Sequence, residues 1–547
     1  MLDKETILNT REKYLKFIAE WPERFNYKGQ NFKELFTLNK DLSLWWLTEM
    51  QKKDPEGSPV FENLCWLAKG KEPSKGHRGF KSSLFWYFLL RVRFLLYMFQ
   101  KILIFKLFFR GKNEKEAESV DVLFVSLYAN TLKGNNRQLI DRYYLDLPVD
   151  VEKKLEIRTS YVSFYYKSAG QLLKEIKKLK EEKIIFYERY LNLGDLLTAF
   201  NFSSLLKYIF IESKKEFKES FNLEGKNVFD IFKDELRVSF VGPGISEWIL
   251  LVKAIERIVR QHSIKAIISF LEIYPYSRAL YYGAQKGFPG VKTIAYQHAN
   301  ITSTKLWYIY NSSEISLNGN YIKGMPVPDY FIFQGKMGKE LLVKSGYPEN
   351  RCFLTGSPRF DSLVKIKPGE TKVNLPSNKK IILIATTYLE EDTRALIKTI
   401  SEMAKKRNDC FFVFKAHPNC PVESILKEHN FKNFSIADEN IHQLISKANI
   451  LVTSYSTTAD EAIALGCPSI CVDTGVLVNM STFFTIEAAP TVSSPDELNL
   501  ALDRVFYQPE EFKRFKEKWP ELIEASFYRL DGQAGERVLG VLERIIK

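Results

Sequence analysis

Lys415-Ala416-His417-Pro418, and Ser454-Tyr455-Ser456-Thr457-Thr458 running into Ala459-Asp460-Glu461-Ala462, are the stretches that decide the fold. Each follows an apolar run rich in β-branched or aromatic residues, Cys410 to Phe414 and Ile450 to Thr453, which reads as a buried strand. The second then opens a helix over Ala459 to Leu465, stopped by Gly466 with Pro468 just beyond. A strand that ends in hydroxyls and hands over to a helix N-terminus gathers N–H groups, the positive end of a helix dipole and Ser/Thr donors at one spot. His417 and Lys415, expected on the neighbouring strand end, add proton-donating and cationic character. The pattern predicts a phosphate-handling crevice at the carboxyl edge of a parallel sheet.

Working outward, strand and helix patterns alternate on both sides. Upstream lie strands over Val120 to Leu127, Lys183 to Tyr187, Ala266 to Phe270 and Val291 to Tyr296, with helices over Glu247 to His262 and Ser277 to Gln285. From Pro326 a second unit reads as strands Tyr330 to Phe333, Cys352 to Thr355, Lys380 to Ala385 and Ser469 to Val472, with helices Lys336 to Ser345 and Asp392 to Lys406 and a final helix pair. Such crossovers build parallel sheets, and 547 residues are too many for one ordinary core. The expected class is α/β, on the GT-B plan: two doubly wound Rossmann-type domains facing a cleft, behind a helical N-terminal extension. The expected divisions are 1–118 (extension), 119–325 (acceptor domain), 326–500 (nucleotide domain) and 501–547 (closing helices).

Hydrophobic residues make up 45% and charged residues 27%, a globular composition. Six scattered cysteines with no Cys-x-x-Cys pair argue against zinc and redox chemistry and suit a reducing compartment. The N-terminus lacks the layout of a signal peptide. The net charge of +13 is uneven. Between Lys71 and Lys112, ten Lys/Arg face a single acid, Glu72, around a greasy run from Leu84 to Phe109. Arg91, Arg93, Lys101 and Lys106 inside that run are costly in hydrocarbon and point in several directions at helical spacing. The preferred expectation is a helix, or broken helix pair, lying on an anionic membrane surface at the inner face of the cytoplasmic membrane. A buried helix with paired cations is the alternative, a transmembrane span comes third, and nucleic-acid binding is disfavoured.

His417 precedes Pro418, which ends the strand, so its imidazole either holds a leaving phosphate or makes a structural hydrogen bond. Ser454, Ser456, Thr457 and Thr458 exceed what one helix cap needs. Glu461 suits the helix dipole or a ribose. Gly356, Ser357 and Arg359, after a strand, offer N–H groups beside a guanidinium, or form a plain turn. In the first unit Glu272 and the pair Gln297-His298 end strands and are expected to face the cleft. Glu272 is the candidate for deprotonating an acceptor hydroxyl or attacking an anomeric carbon, against an ion pair with Arg278; His298 orients it or the substrate. Asn135, Asn136 and Arg137 are candidates for sugar or acceptor contacts, while Asp141, Arg142 and Asp146 start the next helix.

The Lys-x-His-Pro motif, the hydroxyl cluster, Gly356-Ser357-Pro358-Arg359 and Tyr296-Gln297-His298 resemble bacterial surface-carbohydrate transferases that use CMP-activated ulosonic acids of the Kdo, pseudaminic, legionaminic or sialic type. The resemblance covers about residues 120–480. It implies a metal-independent, cofactor-free glycosyltransferase of capsule, O-antigen or lipopolysaccharide assembly, with a CMP-sugar donor and a lipid-linked oligosaccharide or glycolipid acceptor. His417 and the hydroxyl cluster are then expected to hold the CMP phosphate. No Asp-x-Asp run of a metal-dependent transferase occurs. The runner-up keeps the fold and changes the donor to CDP-glycerol or another polyol phosphate, as in teichoic-acid enzymes, which Asp531-Gly532 resembles. A non-catalytic membrane scaffold on a degenerate transferase fold is the third reading.

Overall fold

The structure, a computed structural model, describes residues 2–72, 83–109, 120–127, 132–135, 138–182, 184–366 and 375–547. Two parallel sheets organise the chain. The first contains β1 (Val122–Val125), β2 (Thr159–Ser163), β3 (Ile184–Phe186), β4 (Ala266–Phe270), β5 (Lys292–Tyr296), β6 (Tyr330–Phe333) and β7 (Cys352–Leu354). The second contains β8 (Lys380–Ala385), β9 (Cys410–Lys415), β10 (Phe434–Ile436), β11 (Ile450–Thr453), β12 (Ser469–Val472) and β13 (Thr491–Val492). Their orders, β7-β6-β5-β4-β1-β2-β3 and β10-β9-β8-β11-β12-β13, both follow the doubly wound sequence. Ligands of such sheets sit where the order reverses, outside the carboxyl ends of the strands. In the second sheet that point is the crevice between β8 and β11.

The expected division at 326 is wrong by two strands. β6 pairs with β5 in parallel register, Ile294 beside Tyr330, and β7 pairs with β6, Phe331 beside Cys352. Pro326 and Pro328 mark an entry loop rather than a border, and the chain crosses to the second sheet only after β7. It also crosses back. The closing helix Ala534–Ile546 buries Val538, Leu539, Leu542 and Ile545 with Phe124, Ile268 and Ile294 of the first sheet. The preceding helix, Trp519–Phe527, packs against Lys336–Lys344 and Thr458–Ala464. It lies so close that any side chain at Gly335 would meet the Ala525 carbonyl.

Nor is the N-terminal segment a separate extension. Phe17, Trp21, Trp45 and Trp46 are buried in one core with Phe232, Leu236, Ile249 and Leu280 of the first unit. The buried guanidinium of Arg278 donates to the carbonyls of Trp46 (2.9 Å) and Gln51 (3.1 Å), so it is no partner for Glu272. Beside it Lys53 meets Glu314 at 2.9 Å, with both side chains almost fully buried. Lys53→Met strands the Glu314 charge and is expected to cost roughly 3 kcal/mol in denaturant unfolding. Lys53→Met/Glu314→Leu should recover most of that loss.

Leu84–Phe108 is one continuous helix, started by Ser83, whose hydroxyl accepts from Trp86 N–H at 3.3 Å. Two of its four cations turn inward, against the expectation that they reach for headgroups. Arg91 donates to the carbonyls of Phe200 (2.8 Å), Phe240 (2.6 Å) and Gly242 (2.8 Å), satisfying the ends of two helices. Lys101 donates to the Tyr165 carbonyl and to Glu188. Among the described residues no single helix is long and apolar enough to cross a membrane. The bent pair Phe229–Phe240 and Gly244–His262 passes such a test jointly, but most of its apolar residues are spent in the core.

Candidate functional site

At the β8/β11 crevice the chain lays down hydroxyls from two strand ends. Asp392, on the helix after β8, accepts from Thr387 Oγ1 (2.9 Å), Ser454 Oγ (2.6 Å) and Thr474 Oγ1 (2.5 Å). Ser454 is therefore buried and consumed in holding the crevice together. Ser456 Oγ and Thr458 Oγ1 lie 3.0 Å apart and, like Thr457, stay partly exposed. The hydroxyl of Ser456 also accepts from Thr458 N–H (3.3 Å), while Thr457 makes no side-chain cap.

His417 stands on the same edge but not on the adjacent strand, because β8 lies between β9 and β11. Two strand spacings separate its strand from the hydroxyl cluster's, roughly 10 Å. Thr386 at the tip of β8 fills the interval and accepts from His417 N–H at 3.1 Å. The imidazole Nδ1 accepts from Asn419 N–H (3.2 Å), which assigns the proton of the neutral ring to Nε2. Burial, and then the positive charge of Arg142, hold the ring below the ordinary imidazole pKa. His417 is thus a neutral ring whose Nε2–H meets no acceptor among the described residues. Lys415 is different: its ammonium donates to the carbonyls of Ala437 (3.3 Å) and Asp438 (2.9 Å), and Pro418 is exposed.

The first sheet supplies the opposite wall. Glu272 follows β4 and His298 follows β5, with Nε2 of His298 3.5 Å from Oε1 of Glu272. The carboxylate is the open member, 34% exposed against 10% for the imidazole. His298 packs on Tyr143 (ring centroids 4.9 Å) and Phe270 (4.8 Å). Tyr143 in turn carries two guanidiniums, Arg142 at 4.7 Å and Arg359 at 5.5 Å from its ring centroid. Arg359 reaches Glu461 at 3.4 Å, and the other oxygen of Glu461 meets His442 Nε2 at 2.6 Å. Glu461 therefore has both oxygens engaged and is almost fully buried. The Glu272–His298 pair and two cations converge on one aromatic ring.

Other expected residues serve the junction of the two sheets. Gly356 takes φ +82°, a left-handed turn packed against Ala534, and Ser357 shares a 3.0 Å hydrogen bond with Tyr296. Gln297 is buried, its amide oxygen accepting from Gln334 N–H at 3.0 Å. Asp460 accepts from Asn300, Thr482 Oγ1 (2.7 Å) and Ser526 Oγ (2.9 Å), joining three parts of the chain. Burial pushes its carboxyl up to about 6, despite these donors and Lys305. The folded state then holds the Asp460 proton more tightly than the unfolded chain. Its contribution is full below the unfolded pKa and is lost as pH rises through about 6. The unfolding free energy of wild type relative to Asp460→Asn is expected to fall by about 3 kcal/mol between pH ~4 and ~7. Denaturant titrations of both proteins across that window check it.

Asn136 and Arg137 lie outside the described residues, and of Asn135 only the backbone, in the Leu132–Asn135 hairpin strand, is described. Arg142, Tyr143, Thr386 and His442 are the site residues that sequence reasoning passed over or set aside. Arg142 and Tyr143 follow a hairpin, and His442 sits on the five-residue helix Ile441–Ile445, so no periodicity singles them out.

Compared with known proteins, residues 292–463 match the family described as CDP-Glycerol:Poly(glycerophosphate) glycerophosphotransferase. No curated protein matches the chain. Among solved structures, UDP-GlcNAc 2-epimerase from Neisseria meningitidis, bound to UDP-GlcNAc, is 13% identical with a TM-score of 0.45, covering 78% of this chain and 100% of its own. The wall teichoic acid polymerase TagF soaked with CDPG is 13% identical with a TM-score of 0.41, covering 86% and 98%. MnaA from S. aureus with UDP is 12% identical with a TM-score of 0.44, covering 78% and 96%. The fold stands on the sheet topology above.

The family match corrects the expected donor. CMP-activated ulosonic acids, and with them the CMP-sugar and lipid-linked oligosaccharide partners and the capsule, O-antigen and lipopolysaccharide roles, give way to the CDP-glycerol alternative. The physical reason is plain. A His-Pro strand end and a hydroxyl-led helix form a pattern suited to a phosphate, and such a pattern carries no information about the group beyond it.

Proposed function

We propose that this chain is a polyol-phosphate transferase that moves glycerol phosphate, or a related polyol phosphate, from a CDP-linked donor onto a hydroxyl acceptor, releasing CMP. The observation that carries the reading is the family match over residues 292–463, which includes His298, His417 and the whole hydroxyl cluster. The site's chemistry fits. The acceptor oxygen bonds to the phosphorus that bears the polyol, and the bond from that phosphorus to the bridging oxygen breaks. CMP leaves with that oxygen and its electron pair, and the acceptor proton passes to the Glu272–His298 pair. Arg142, Arg359 and the Nε2–H of His417 take up the charge that gathers on the diphosphate. Ser456, Thr457 and Thr458 add donors at the helix start.

We propose that the enzyme works peripherally at the inner face of the cytoplasmic membrane, a reading whose peripheral part is supported by the exposed apolar helix face described below. Incubation with CDP-glycerol and a glycerol-phosphate-primed acceptor tests the activity. The expected result is stoichiometric CMP and a new phosphodiester by phosphorus NMR. Consumption of CMP-linked sugars with CDP-glycerol untouched would overturn it.

A further inference from the structure

The Leu84–Phe108 helix shows solvent a stripe that a soluble surface does not explain. Phe85, Leu89, Leu96, Leu103 and Leu107 recur at spacings of four and seven on one face, with Leu96 59% and Leu107 62% exposed. The face does not end at the helix. Phe88 meets Phe200, and Phe200 stacks on Phe202, linking the stripe to the helices Leu193–Phe200 and Phe202–Glu212. Those helices expose Leu197 (80%), Leu206 and Phe210. Large exposed side chains on three helices linked through Phe88, Phe200 and Phe202 thus form an apolar surface of the kind that marks a docking face.

The charges of this region are sorted about that surface. The inward cations, Arg91 and Lys101, are buried and hydrogen-bonded, as described above. Arg93 lies exposed on the apolar face, and the neighbouring helix Ala169–Glu181 exposes Lys174, Lys177 and Lys180. Apolar side chains with cations along the margin fit an anionic bilayer, where the chains enter the acyl boundary and the cations meet headgroups. A second copy of this chain would bring like charges together.

The geometry points to this three-helix face as a membrane-docking surface for anionic lipid, one that sets the acceptor side of the cleft against the bilayer. Tyr97 of the same helix donates to the carbonyl of Lys167 (2.9 Å), and Lys101 to that of Tyr165, pinning the loop after β2. On that loop Phe164 packs on Tyr187 (ring centroids 4.4 Å), whose hydroxyl shares a 3.3 Å hydrogen bond with that of Tyr276, four residues after Glu272. An acceptor anchored in lipid would therefore meet the Glu272–His298 pair from the docked edge. This orientation rests on the transferase reading; the docking itself does not.

Flotation of the full chain with vesicles of phosphatidylglycerol and phosphatidylethanolamine tests it, with phosphatidylcholine vesicles for comparison. Wild type should float with the anionic vesicles and largely remain below with the neutral ones. Leu96→Glu/Leu103→Glu should lower the bound fraction at least about tenfold, while CMP release with a soluble acceptor stays unchanged. That second readout separates failure of docking from failure of the transferase reading. Should the variant not fold, quenching of wild-type tryptophan fluorescence by brominated lipid, lost in Trp86→Phe, reports insertion of the same face, and no quenching in wild type overturns the proposal. Equal flotation of variant and wild type also overturns it, as does a wild-type dimer that the variant dissolves without any vesicle binding.

Discussion

His417→Ala is expected to lower kcat/KM for the CDP-linked donor about a thousandfold with folding intact. The ring's only intramolecular hydrogen bond among the described residues is the one its Nδ1 accepts from Asn419 N–H. The backbone of His417 keeps its own bonds, to Thr386 Oγ1 and from Cys420 N–H. Removing the side chain should therefore change unfolding free energy by no more than about 1 kcal/mol. What is lost is a neutral Nε2–H donor within the field of Arg142, at the edge where the proposed reaction gathers charge on the departing phosphate. Because the ring is already neutral near pH 7, His417→Gln, which keeps an N–H donor, should recover part of the rate. Steady-state kinetics on the three proteins, with thermal melts as the folding control, decide it. Unchanged turnover in His417→Ala would remove the residue from the site.

Glu272→Gln is expected to lower kcat a hundred- to a thousandfold, by order of magnitude, with little change in donor KM. The carboxylate is the open member of the Glu272–His298 pair, so under the proposed transfer the acceptor proton reaches it first. Glutamine keeps the shape and loses the basicity. His298→Asn should reduce kcat less than Glu272→Gln if the imidazole only orients and backs the carboxylate. The split matters: a residue that merely holds the wall together would shift stability and KM together. Rates measured at saturating donor and varied acceptor separate the two cases. A kcat for Glu272→Gln equal to wild type would pass the base role to His298.

The fold was readable wherever a strand is a continuous apolar run covered on both faces. Ala266–Phe270, Tyr330–Phe333, Lys380–Ala385, Ile450–Thr453 and Ser469–Val472 coincide with their expected spans for that reason. Thr159–Ser163, with its hydroxyls, and the short outer strands Phe434–Ile436 and Thr491–Val492 carry too little pattern to register. The division between the sheets was misplaced because Pro326 and Pro328 look like a linker, while sheet membership depends on hydrogen-bond register that no local pattern encodes. The positions of Glu272, His298 and His417 at strand ends were legible because each follows a strong strand. Tyr143 and the two arginines around it were not, since turn and short-helix residues meet only in the folded molecule. Lys415 looked like a phosphate ligand, but its donors go to the end of β10. The donor lay beyond reach for a different reason, because the motifs describe a phosphate cradle common to several nucleotide-activated substrates.

A crystal of the full chain soaked with CDP-glycerol tests the central claim most directly. The account predicts the diphosphate at the β8/β11 crevice, with one phosphate oxygen about 3 Å from His417 Nε2 and others within hydrogen-bond distance of Ser456, Thr457 or Thr458. The phosphorus carrying glycerol should face Arg142 and Arg359, with Glu272 on the far side of the space left for an acceptor. Nucleotide bound away from that crevice, with His417 and the hydroxyl cluster untouched, would contradict it.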